Sequence, residues 1–182
     1  MKSSANSTKI AVCGVLTALS VAAMVLTSFL GVMTYAAPML VGGLLIVPVK
    51  EYGTKAAFTM YAAVSLLGLM LAVGDRELAL FYMLLFGHYP IIQPYINRLS
   101  MRPVRVLLKA GVFNGCSLLA MWLASVIFGI PLFESDSPIW VMVVFYFVVG
   151  NFSFGFYDHA LWEFYTLYDV KVRGFLRKFI KF

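Results

Sequence analysis

From Ile10 to Leu30 the chain reads IAVCGVLTALSVAAMVLTSFL, without one charged side chain. As a helix rising ~1.5 Å per residue, such a run crosses the ~30 Å hydrocarbon core of a bilayer. The rest of the chain repeats the theme. Of 182 residues, 62% are hydrophobic and only 12% charged, and the mean hydropathy is +0.91. Soluble domains carry about 25% charged residues, so this chain has too little polar surface to face water. It is expected to be an all-α integral membrane protein forming one membrane domain over residues 1–182. Lys2 and Lys9 precede the first run as they would in a signal peptide. The apolar part is longer than the usual ~7–15 residues, however, so it is taken as a retained span. Cys13 and Cys116 sit inside apolar runs without metal or redox spacing, and are expected to be packing residues.

Six spans are expected, at about residues 10–30, 38–49, 56–73, 78–97, 104–130 and 138–166. Polar breaks separate them: Lys50 to Lys55, Gly74 to Glu77, Arg98 to Pro103 and Pro131 to Ser137. The second span contains Gly42, Gly43 and Pro48, and the fourth contains Pro90 and Pro94, which predicts bent or shortened helices there. A closed β-barrel would show ~10-residue alternating segments instead. No internal repeat supports an inverted-repeat carrier.

The basic residues fix the expected orientation. With six spans both termini share a side, and thirteen of the fourteen Lys and Arg residues fall there. Arg76 alone lies opposite, with Asp75, Glu77, Glu134 and Asp136. Both termini are therefore expected to be cytoplasmic. The net charge of +6 reports topology and contact with anionic lipid, and implies no nucleic-acid partner. Trp140, Trp162 and Tyr165 fall where aromatic belts form.

Gly14, Ala18 and Ala22 recur every fourth residue of the first span, and Ala11 lies one heptad before Ala18. Such a stripe lets another helix backbone approach closely in lipid, where water does not drive association. It suits docking to a separate protein or packing against the chain's own helices.

The sequence contains no phosphate-binding loop, zinc-protease motif or nucleophile elbow. No catalytic residue, metal site or cofactor is expected, and a pumping role needs energy from elsewhere. His88 lies mid-way along the fourth span, on one face with Phe81 and Tyr95, beside a stripe of Tyr82 and Tyr89. It is either part of a ligand pocket or a neutral histidine bonded between helices. Asn114 and Ser117 in the fifth span, and Asn151 in the sixth, either bridge helices or line a pocket walled by Trp122 and other aromatics. Asp158, His159 and Glu163 lie near the inner interface, close to Lys171 and Arg173. Ion pairing or solvation there is favoured over metal ligation.

The layout resembles a family. Six spans in under 200 residues, cytoplasmic termini and a first helix reading KIAVCGVLTALSVAAMVL are similar to the substrate-binding S component of energy-coupling factor (ECF) transporters. There a first-helix A-x-x-x-A motif faces a transmembrane scaffold subunit joined to two cytoplasmic ATPases. Ala18-Leu19-Ser20-Val21-Ala22 matches that motif, with Gly14 one step earlier. The resemblance implies a non-enzymatic subunit in a bacterial cell membrane that captures a vitamin-like small molecule from outside. Its bundle would then topple while the partners hydrolyse ATP. It implies docking through Ala11, Gly14, Ala18 and Ala22. It also implies an outward-facing site formed by the loop after span one and by spans four to six. By depth and side-chain type that site would draw on Tyr35, Tyr82, His88, Asn114, Trp122, Tyr146 and Asn151. Two other classes compete: a non-transporting scaffold or regulatory protein of the cell envelope, and an intramembrane enzyme using His88 or the Asp158–His159–Glu163 group.

Overall fold

The computed structural model describes residues 2–31, 33–129 and 138–174. All regular structure among them is helical. The elements are α1 (Lys2–Leu30), α2 (Ala36–Leu44), α3 (Ile46–Glu51), α4 (Thr54–Leu71), α5 (Arg76–Phe81), a π-helical turn (Tyr82–Phe86), α6 (Tyr89–Asn97), α7 (Arg102–Phe128), α8 (Ile139–Leu167) and a second π turn (Tyr168–Val172). Three helical stretches are long and apolar enough to cross a membrane: Ser7–Leu30, Thr54–Leu71 and Arg102–Phe128.

The connections gather at two ends. At one, the Thr34 hydroxyl donates to Asp75 at 2.6 Å and the Tyr35 hydroxyl to Glu77 at 2.8 Å. Arg76 stacks over Phe128 at the same end. At the other, Lys50 pairs with Asp169 at 2.5 Å, Glu51 with Arg173 at 2.9 Å, and Thr54 meets the Tyr95 hydroxyl at 2.7 Å. We call these the acidic and the basic end.

Local chemistry sets the breaks. Asp75 caps α5 by accepting the Leu78 N–H at 3.0 Å, while its own N–H donates to Ser28 at 2.7 Å. Gly129 ends α7 in the left-handed region, at φ 66°, where a side chain would be strained. The second apolar run is interrupted at Leu45, between α2 and α3.

The fourth apolar run is the most irregular and the most buried. Leu78, Phe81, Tyr82, Leu85, Phe86, Tyr89 and Ile91 are all closed off from the surface. Two apolar clusters meet along it. One joins it to Met24 of α1, Val41 of α2 and Met60 and Val64 of α4; the other joins it to Phe113 of α7 and Phe154, Tyr157 and Leu161 of α8. Proline explains the placement. Pro90 and Pro94 lack the N–H groups that would bond the carbonyls of Phe86 and Pro90. Hydroxyls on α8 take both oxygens, Tyr157 at 3.3 Å and Tyr165 at 2.7 Å, and Tyr61 of α4 takes the Met83 carbonyl at 2.5 Å. Freed carbonyls are tolerated at membrane depth only where protein surrounds them. The packing around them is close. A Cβ on Gly42 of α2 would lie 2.3 Å from the Phe86 carbonyl oxygen.

The exterior is apolar. Ile10, Leu66, Leu107, Phe145, Phe152 and Phe156 are each more than 60% exposed. Surface of this kind is rarely left facing water on a soluble monomer.

Candidate functional site

The residues expected to bind a ligand divide into separate neighbourhoods. Tyr35 stands at the acidic end, half-exposed, edge-on to Phe81 at 5.1 Å and within electrostatic reach of Tyr146. Burial, with the Glu77 carboxylate beside it, pushes the Tyr35 phenol up from its ordinary range. Tyr146 on α8 lies beside Ser117 of α7 and packs edge-on against Phe147 at 5.7 Å. Around it, Trp140, Val144, Phe145 and Val148 are exposed, so this half of α8 makes little contact with the bundle.

Asn114 and Asn151 meet across α7 and α8. Each amide donates to the other's side-chain oxygen, at 2.9 and 3.1 Å. Each also donates to the carbonyl four residues earlier in its own helix, Ala110 and Phe147 respectively, at 2.8 Å. The amide N–H groups are thereby used. Bridging between helices, one of the two expectations for this pair, describes the contact.

Tyr82 and His88 lie elsewhere, grouped around Tyr61 of α4. Both rings sit 6.2 Å from the Tyr61 ring. Tyr82 is fully buried, and its hydroxyl has no hydrogen-bond partner among the described residues. Trp122 is more than half exposed on α7.

The densest polar network was missed by the sequence reading. Asp158 of α8 accepts from Lys109 of α7 at 2.6 Å, and from Tyr89 and Gln93 of α6 at 2.5 and 2.7 Å. Gln93 also donates to the Asp158 backbone carbonyl at 2.7 Å. Side-chain exposures of 16% and 21% put Lys109 and Asp158 largely inside, where an unpaired charge is costly. Asp158 thus pairs with Lys109 rather than with Lys171 or Arg173, and Arg173 pairs with Glu51. One signal pointed to this: Lys109 and Asp158 are opposite charges at matching depth in neighbouring apolar runs. His159 and Glu163 bond each other at 3.2 Å on the exposed side of α8. No group of three metal-ligating side chains occurs among the described residues.

Two cavities open at the basic end. One, of about 430 Å³, is bounded by Lys50, Gln93, Asn97, Arg98 and Asp169. The other, of about 210 Å³, is bounded by Asn97, Arg105, Lys109, Asp158 and His159. Trp162 borders both, and none of the seven expected ligand residues borders either.

The stripe on α1 faces outward. Ala11, Gly14, Ala18 and Ala22 are exposed, and among the described residues no atom outside Gly14's own turns of helix lies within 4 Å of a Cβ built on it. The opposite face, Ser20, Val21, Met24 and Ser28, is buried, and the helix packs on α4 and α2.

No protein-family model, curated protein or solved structure matches this chain.

Proposed function

We propose that this chain is the substrate-capturing membrane subunit of an ECF-type importer. It crosses the membrane six times with both termini in the cytoplasm, so that the basic end faces inward. The segments are α1, α2 with α3, α4, α5 through α6, α7 and α8. The single observation that carries the reading is the outward stripe Ala11, Gly14, Ala18 and Ala22, which none of the described residues covers. Small residues on an otherwise bulky helix cost dispersion contacts unless another backbone lies against them. A transmembrane scaffold subunit, joined to two cytoplasmic ATPases, is the proposed occupant. The ligand, a vitamin-like small molecule, would enter from the acidic end, where Tyr35 is half-exposed and the α8 surface around Tyr146 is open. Aromatic walls there suit a flat ring.

Ala18→Trp tests the division of labour. Expected are loss of uptake and of co-purifying scaffold and ATPases, with ligand binding by the isolated subunit unchanged. Loss of binding with assembly intact overturns the assignment of the stripe.

One observation favours a second reading, a non-transporting scaffold or regulatory protein of the cell envelope. Asn114 and Asn151 are closed on each other, so two of the seven ligand residues already have partners. Recovery of envelope enzymes on purification, with no ATPase and no retained small molecule, would decide for it.

A further inference from the structure

The four cations around the two basic-end cavities are not equivalent. Lys50 is neutralised by Asp169 and Lys109 by Asp158. Arg98 and Arg105 have no carboxylate partner among the described residues. Arg98 lies over the Tyr95 ring, and Arg105 reaches only the Asn97 backbone carbonyl, at 3.4 Å. Each guanidinium borders one cavity, and Asn97 and Trp162 border both. An uncompensated guanidinium fork at the edge of a cavity suits a phosphate, which it can grip bidentately.

We infer that the basic end binds the headgroup of an anionic phospholipid from the adjoining leaflet, its phosphate held by Arg98 or Arg105 beside Asn97 and Trp162, which border both cavities. Phosphatidylglycerol carries such a net negative headgroup, and phosphatidylcholine has the phosphate without net charge. Trp162, more than half exposed, lies where an indole sits at the headgroup level. The site rests on the membrane placement proposed above and is independent of the importer assignment.

The test places the full chain in nanodiscs containing equal amounts of phosphatidylglycerol and phosphatidylcholine and identifies retained lipid by native mass spectrometry. Wild type should retain phosphatidylglycerol in preference by about tenfold or more, the scale of two charge-assisted bonds. The double variant Arg98→Gln, Arg105→Gln should lose that preference. Arg102→Gln, an exposed cation that borders neither cavity, should keep it. Equal loss in Arg102→Gln would mean diffuse surface attraction and overturn the site, as would wild type that retains both lipids alike. In phosphatidylcholine discs, free glycerol 3-phosphate should leave Tm unchanged; a shift that the double variant abolishes would make the ligand soluble and overturn the lipid source. A chain that enters neither kind of disc overturns the membrane placement itself.

Discussion

The Tyr165 hydroxyl donates at 2.7 Å to the Pro90 carbonyl, the oxygen that Pro94, four residues on, has no N–H to reach. The bond is buried, so water cannot replace it. Tyr165→Phe should lower stability by about 1–3 kcal/mol. On a Pro94→Ala background the loss should shrink, because the new N–H can take the same oxygen. Thermal unfolding of the four proteins in detergent measures the coupling. Additive losses would mean that the tyrosine serves some other contact.

Gly42 should be irreplaceable for a different reason. An added Cβ would lie 2.3 Å from the Phe86 carbonyl oxygen and 2.8 Å from the Tyr157 hydroxyl, and backbone cannot move aside cheaply. Gly42→Ala should cost about 1–3 kcal/mol. Gly43→Ala, next in sequence, meets nothing within 4 Å and should be neutral. Comparing their unfolding temperatures checks the local geometry.

Removing Lys109 should be severe. Lys109→Met leaves the Asp158 carboxylate largely buried without its cation, at a cost of about 3–5 kcal/mol. Adding Asp158→Asn should recover a good part of that loss, since the stranded charge is then gone. Yield and unfolding temperature of the single and double variants report it.

Alkaline pH should loosen the acidic end. The Tyr35 phenol is raised by burial and by its bond to Glu77, so the fold favours its protonated form. The stabilisation is full below the ordinary phenol value of about 10 and is lost as pH rises above it. Tyr35→Phe should flatten the fall in stability above that pH. Unfolding temperature across an alkaline series, for wild type and variant, checks the sign.

How much of this was legible in the sequence depends on the range of the interaction. Helix positions were legible, because apolar runs and polar breaks are local properties of the chain. The prolines at 90 and 94 announced freed carbonyls. What takes those oxygens was not readable, since Tyr157 and Tyr165 follow 71 and 75 residues after their acceptors. The same limit hid the closure of Asn114 on Asn151, 37 residues apart. Choosing ligand residues by depth and type could not separate Tyr82, packed against α4, from Tyr146, which stands between α7 and α8. The Gln93 interaction also escaped notice, because a glutamine among prolines and aromatics has no periodic signature.

The one-sided packing of α1 bears on how the protein is made. Met24 is fully buried with its terminal methyl over Gly68, and Ser28 bonds the backbone of Asp75, 47 residues further along. The nascent α1 helix can therefore close this face only in part, against α2, until the α4 segment has left the exit tunnel. During that interval much of this face lies open together with the opposite flank, and no described residue later covers that flank.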